Sequence, residues 1–270
     1  MAYPIKAVVF DWAGTMVDFG CMAPIAALVE AFAGEGVPVS VTEARRDMGR
    51  AKLDHVWALL ETPGVAARWA TARGAAPTIA DRDRIYEALV PLMARAATEH
   101  AIMIPGAVET FDWLIAQGVK VGSGTGYTRE MMTGILAVAA QQGYAPQVVV
   151  CAGETPSGRP APLMTWKALV ELDVWPASAC VKVDDAEVGI EEGRTAGCWT
   201  VGLSASGNGV GLPKAELDAL DPAERARLVS AAAASLKAAG ADYVVDSVAS
   251  LRPVLDEIAA RITAGERPGG

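Results

Sequence analysis

Six short apolar runs set the frame of this chain. They are Ala7–Phe10, Val119–Gly122, Val148–Cys151, Cys180–Val183, Trp199–Leu203 and Tyr243–Val245. Helix-like stretches lie between the middle runs, at Glu109–Gln117, Arg129–Gln142, Leu163–Leu172 and Val188–Ala196. Strands that alternate with helices pair in parallel through right-handed crossovers, with helices covering both faces of the sheet. The spacing therefore predicts an α/β fold, a Rossmann-like parallel sheet core. Ligands of such sheets bind beyond the carboxyl ends of the strands. Asp11, the stretch Ser123–Tyr127 and the pair Asp184–Asp185 each follow a predicted strand directly.

Residues from about Cys21 to Ala101 break the alternation. They hold helical segments only, at Pro24–Ala33, Thr42–Glu61, Val65–Arg73 and Asp81–Thr98, before Pro105-Gly106 marks the return of the αβ pattern. This predicts an all-helical cap domain inserted after the first strand, above the edge of the sheet where ligands bind. The expected division is a core of residues 1–20 and 102–264, a cap of residues 21–101 and a disordered tail of residues 265–270. Ser204–Gly211 reads as a glycine-rich loop leading into an alanine-rich helical segment, and the chain shows no internal repeat.

Composition narrows the partners. A formal net charge of −9 with no basic stretch argues against nucleic acid. An anionic substrate would need cations supplied by the site itself, since exposed charges beyond about 8 Å are largely screened. An apolar fraction of 52% supports a sizeable core. No run reaches the roughly 18 apolar residues of a membrane helix, and Asp11 and Gly14 interrupt any signal-peptide core, so the expected compartment is the cytoplasm. Four cysteines, at positions 21, 151, 180 and 198, lack CxxC spacing and read as reduced thiols.

Four loops then carry chemistry. Asp11 ends a buried run, a position that on its own also suits a helix cap or a turn. In VGSGTGYT, Ser123 or Thr125 follows the second strand, among glycines that let backbone N–H groups approach an anion. Arg159 in SGRP offers a planar cation. Asp184 and Asp185 are poor packing material, because like charges oppose one another's ionisation unless a cation joins them. Mg²⁺, held by one or two carboxylates and substrate oxygens, is the ordinary solution.

These four sites stand in the order of the haloacid dehalogenase superfamily. The segments FDWAGTMVDFGCMAP, MGRAKLDHVWAL, GSGTGYTREMM, SGRPAP and EGRTAGCWTVG are similar to those of its phosphonatase family, and the resemblance runs from about Lys6 to the C-terminal helix. It implies hydrolysis of phosphonoacetaldehyde to acetaldehyde and phosphate, within 2-aminoethylphosphonate degradation. It implies Asp11 as nucleophile and Asp11, the Ala13 carbonyl and Asp185 as Mg²⁺ ligands. Thr125, the Gly126 amide and Arg159 would hold phosphonate oxygens, and Cys21, Met48, His55 and Tyr127 would surround the aldehyde. A homodimer is also implied.

Ala13 stands where a superfamily phosphatase carries the aspartate that protonates a departing alkoxide. Cleavage of a C–P bond releases no alkoxide. It needs an electron sink on carbon, which an amine builds as an iminium. Lys52 is the candidate amine. If a helix runs through Gly49, Met48, Lys52 and His55 share one face, away from an apolar stripe of Leu53, Val56, Trp57 and Leu60. His100, the second histidine, reads as a helix-end residue. One departure stands out: Gly189 occupies a position where many members of the family carry an aspartate, Asp184 stands where a glycine is frequent, and Glu187 is out of register. The rival readings are a phosphate-ester phosphatase, a halide-releasing dehalogenase and a non-catalytic anion-binding protein on the same fold.

Overall fold

The computed structural model describes residues 3–48 and 50–269. One sheet contains β1 (Ala7–Phe10), β2 (Lys120–Gly124), β3 (Val148–Val150), β4 (Cys180–Asp184), β5 (Trp199–Leu203) and β6 (Tyr243–Val245). Its spatial order is β3-β2-β1-β4-β5-β6, and every pair is parallel. All six expected runs are strands. β2 extends to Gly124 because Gly122–Gly124 pair with Val148–Val150.

Between β1 and β2 lie α1 (Met22–Gly34), α2 (Val41–Arg45), α3 (Lys52–Glu61), α4 (Pro63–Arg73), α5 (Ile79–Glu99) and α6 (Ala107–Ala116). The later helices are α7 (Arg129–Gln141), α8 (Leu163–Glu171), α9 (Glu187–Ala196), α10 (Lys214–Ala219), α11 (Pro222–Ala238) and α12 (Leu251–Thr263). The strand pleat sorts alternate residues onto two cores. Val8, Phe10, Val181 and Val183 face the larger one, whereas Ala7, Val9 and Cys180 meet Met164 and Ala168 of α8 and Ala196 of α9.

α1–α5 form the helical insertion, in which α1 packs on α5, with Leu28 and Phe32 of α1 and Leu89 and Met93 of α5 buried in the same core. Thr78 and Asp81 form a capping box that starts α5, and His100 ends it with Nδ1 3.7 Å from Asp18 Oδ1. The helix expected over Thr42–Glu61 is instead two. A Ser40–Glu43 capping box begins α2, which stops at Arg45, where the guanidinium donates to the Gly20 carbonyl (2.8 Å) and to Asn208 Oδ1 (3.2 Å). The chain restarts at Lys52 after Ala51 in extended geometry (ψ 138°). Met48 is therefore not on α3, and Gly49, on which the expected face depended, lies outside the described residues. Lys52 also lies on the buried face, with His55, Val56, Leu59 and Leu60, while Leu53 and Trp57 are half-buried. That face meets a polar cavity at the first turn and apolar packing further along, so lysine and leucine share it.

Of the tail expected to be disordered, residues 265–269 are described: Glu266 pairs with Arg261 (2.8 Å) and Gly269 N donates to Asp242 Oδ1 (3.0 Å). Gly270 lies outside the described residues. All four cysteines are free. Among the described residues no helix is long and apolar enough to cross a membrane.

Candidate active site

Asp11 leaves β1 with its N–H donated to the Val183 carbonyl (3.0 Å). Chain connections depart to opposite sides of β1, toward β2 and toward β4, so Asp11 sits at the switch point of the sheet. Arg159 Nη2 lies 2.9 Å from Asp11 Oδ1 and donates to the Gly124 carbonyl at 2.7 Å. Carboxylate oxygens of Asp11, Asp184 and Asp185 come within 4.8 Å of one another.

The adjacent aspartates make different contacts. Lys182 and Asp184 share one face of β4 through the pleat, and Lys182 Nζ donates to Asp184 Oδ2 at 2.7 Å. Ala186 N donates to Asp184 Oδ1 (3.1 Å). Asp185 instead accepts from Asn208 N (2.8 Å), Cys21 Sγ (3.3 Å) and Thr15 Oγ1 (3.3 Å). Burial alone would raise the pKa of Asp184, but Lys182 and Arg159 outweigh it and hold the carboxyl below its ordinary value. Asp185 has no such cation, and burial with the charges of Asp11 and Asp184 pushes it up to about 8. Asp11 is raised by burial and by Asp184, against the pull of Arg159.

Gly189 has a steric reason. A Cβ there would fall 2.0 Å from Asp184 Oδ2, so the Asp184 carboxylate already fills the space where a side chain at 189 would begin. Glu187 is exposed and reaches none of these groups.

On the second strand the two candidates are placed differently. Ser123 is buried and accepts from Trp12 Nε1, whereas Thr125 lines a small cavity of about 30 Å³. The core gives this cavity Asp11, Ala13, Thr125, Gly126, Tyr127, Arg159 and Asp185, and the insertion gives it Cys21, Met48 and Lys52. His55 does not line it. It is buried one turn along α3, where Nε2 donates to the Ala44 carbonyl (2.9 Å), and burial with neighbouring Lys52 holds its pKa well below the ordinary range. Lys52 is 3% exposed, with Nζ 3.9 Å from Met48 Sδ and 5.5 Å from the Tyr127 ring centre. Burial pulls its pKa down to about 8, against the opposing pull of Cys21 and Asp11.

Arg50, Ala186 and Asn208 also line the cavity and were not singled out in the sequence. Asn208 was findable, because its glycine-rich loop follows β5 at the carboxyl edge of the sheet. Arg50 carries no comparable signal. The buried groups also test a metal. With all four ionised, Asp11, Asp184, Asp185 and Glu192 would carry two negative charges more than the core cations Arg159 and Lys182 offset, and the raised pKa values of Asp11 and Asp185 are the response to that excess when no cation is bound. A divalent cation fits that balance.

A carboxylate at the switch point, roofed by helices that leave the sheet after β1, is the plan of one class of enzyme. A model of the haloacid dehalogenase-like hydrolases matches residues 5–197, and the chain belongs to that family, whose members generally use a divalent metal. Its relatives are more particular. A phosphonoacetaldehyde hydrolase of Paraburkholderia xenovorans is 48% identical over 98% of this chain and 99% of its own length. That of Syntrophobacter fumaroxidans is 42% identical over 98% and 96%. The crystal structure of a phosphonoacetaldehyde hydrolase-like protein from Oleispira antarctica superimposes with a TM-score of 0.97 at 43% identity, covering 99% of this chain and 97% of that one. Within its class, the chain belongs with the phosphonoacetaldehyde hydrolases.

Proposed function

We propose that this enzyme cleaves the C–P bond of phosphonoacetaldehyde, giving acetaldehyde and phosphate, through an imine on Lys52 and a phosphoryl group on Asp11. The observation that carries the reading is that a buried amine and a buried strand-end carboxylate line one cavity while residue 13 is alanine.

The lowered pKa of Lys52 supplies free amine near neutrality. The amine condenses with the aldehyde and releases water. The iminium then takes the electron pair of the C–P bond as the phosphoryl group passes to a carboxylate oxygen of Asp11, so the leaving group is a neutral enamine. Protonation of the enamine at carbon restores an iminium, and one water frees acetaldehyde and Lys52. A second water cleaves the aspartyl-phosphate. One water is returned and two are used, which balances a net hydrolysis.

Thr125, the Gly126 amide and Arg159 hold the phosphonate oxygens. Cys21, Met48 and Tyr127 wall the carbon side, with His55 packed behind as a neutral ring. Asp11, the Ala13 carbonyl and Asp185 would hold Mg²⁺, which when bound offsets charge on the transferring phosphoryl group. A cavity of about 30 Å³ is close to the space of one water, so substrate enters as the cap of residues 21–101 swings from the core of residues 1–20 and 102–264. The family resemblance extends the reading to a cytoplasmic homodimer in 2-aminoethylphosphonate degradation.

Borohydride added with phosphonoacetaldehyde tests the proposal. The expected result is irreversible inactivation, a reduced adduct mapped to Lys52, and Mg²⁺-dependent phosphate release when borohydride is omitted. An adduct on another residue, or turnover of simple phosphate esters with no trapping, would favour an ester phosphatase.

A further inference from the structure

Beneath the cavity lies a second layer of charge that these steps leave unused. Lys182 and Glu192 are fully buried, on β4 and α9. Lys182 Nζ lies 2.7 Å from Asp184 Oδ2 and 3.9 Å from Glu192 Oε2. Glu192 Oε2 accepts from Arg159 Nε at 2.9 Å, and Oε1 accepts from the N–H (3.0 Å) and hydroxyl (2.8 Å) of Thr165, in the first turn of α8. α9 makes room for these groups with glycine. A Cβ at Gly193 would fall 2.6 Å from Lys182 Cβ, as one at Gly189 would meet Asp184. Buried ion pairs are weak stabilisers compared with apolar packing. Stability alone therefore gives no reason for this layer.

Arg159 gives one. Three carboxylates surround it: Asp11 at 2.9 Å, Glu192 at 2.9 Å and Asp184 at 3.5 Å. Its Nε is taken by Glu192 and its Nη2 by the Gly124 carbonyl, while Nη1 has no hydrogen-bond partner among the described residues. A guanidinium is a rigid planar fork, so fixing Nε and Nη2 also fixes Nη1. We propose that Glu192, backed by Lys182, is the positioning residue for Arg159. It holds the Nε edge from behind while Nη2 rests between the Gly124 carbonyl and Asp11, so that Nη1 is the edge left to meet a phosphonate or phosphate oxygen. This rests on the reading of Arg159 as an anion-binding residue.

Calorimetric titration of the Mg²⁺-loaded enzyme with inorganic phosphate tests it, on Glu192→Gln, Arg159→Ala and the double variant. Glutamine keeps the size of the side chain and an acceptor for Thr165. Phosphate binding should weaken about tenfold or more in Glu192→Gln, and the double variant should bind no more weakly than Arg159→Ala alone. Substrate KM should rise in Glu192→Gln while borohydride trapping of acetaldehyde on Lys52 stays at the wild-type rate, a split that general loosening of the core would not produce. Unchanged phosphate affinity in Arg159→Ala would sink the underlying reading of Arg159. Weakening in Arg159→Ala with none in Glu192→Gln, or additive losses in the double variant, would overturn the role of Glu192 alone. Should Glu192→Gln fail to fold, Lys182→Met combined with Glu192→Gln removes both buried charges together. It must then show the same loss of phosphate affinity.

Discussion

The α/β core and the helical insertion face one cavity with opposite chemistry. Core groups are cross-braced: Arg159 touches three carboxylates and Lys182 two, all of them buried. The Lys52 amine has no ion pair among the described residues. Its neighbours are a thioether and an aromatic face. The core holds charges in place by pairing them, and the insertion makes a charge easier to lose by leaving it unpaired and buried. An anionic phosphoryl group needs the first environment. A nucleophilic amine needs the second. The two halves of the reaction should therefore come apart under mutation.

Separation is the largest effect expected. Lys52→Arg keeps a cation but removes the amine nucleophile, because guanidinium stays protonated in a protein. Turnover of phosphonoacetaldehyde should vanish, while Mg²⁺ binding and transfer of a phosphoryl group to Asp11 from acetyl phosphate persist. Asp11→Asn should do the reverse, with an imine still trapped by borohydride and no transfer from any donor. Near wild-type phosphonate cleavage by Lys52→Arg would make the insertion lysine a bystander, and the contrast between the two regions would carry no chemistry.

The next effect lies within the core. Asp185→Asn should abolish Mg²⁺-dependent turnover, whereas Asp184→Asn should raise the Mg²⁺ requirement by roughly 10- to 100-fold, as changes behind metal ligands do. Gly189→Asp alone forces an atom to 2.0 Å from Asp184 Oδ2 and should lower the melting temperature. Adding Asp184→Gly should restore much of that loss and part of the Mg²⁺ affinity, both read by thermal melts with and without the ion. No recovery in the double variant would show that the two positions do not share one space.

What could be read from the sequence divides along the same line. The strands and the residues at their carboxyl ends were legible because a buried parallel strand must be an apolar run, and its end is where a polar residue becomes tolerable. Asp11, Thr125 and Asp185 follow from that logic, and Arg159, read as a planar cation in the loop after β3, lies with them. The break between α2 and α3 was hidden: at the end of α2 Arg45 reaches Gly20 and Asn208, contacts with no periodic trace in residues 42–61. Hydrophobic periodicity takes a buried face to be apolar throughout, so it places Lys52 off the packing stripe. Lys182 and Glu192 were not singled out, because a lone lysine inside CVKVD and a glutamate inside EEGR belong to no motif. The available signal was the two-residue spacing of Lys182 and Asp184 on a strand otherwise buried on both faces.

The smallest effect joins the two regions. Burial pulls the Lys52 pKa to about 8, while Cys21, Asp11 and Asp185 oppose the shift and Arg159 adds to it. An amine with that pKa is roughly one-tenth free at pH 7, against about one part in a few thousand for an ordinary lysine. The trapping rate with acetaldehyde and cyanoborohydride should therefore climb with pH and level off above about 8, well before the ordinary lysine range. Asp11→Asn removes an anion that favours the ammonium form, so the pKa must move further down and the plateau must begin at lower pH. Trapping at pH 7 should then be faster in Asp11→Asn than in wild type, although that variant cannot complete the reaction. Arg159→Ala carries the opposite sign: loss of a nearby cation raises the Lys52 pKa and slows trapping at pH 7. The measurement is the pH midpoint of adduct formation in the three proteins. A midpoint near 10 in wild type would mean that Lys52 is solvated when it reacts. Three identical midpoints would mean that the core charges do not reach across the cavity to the amine.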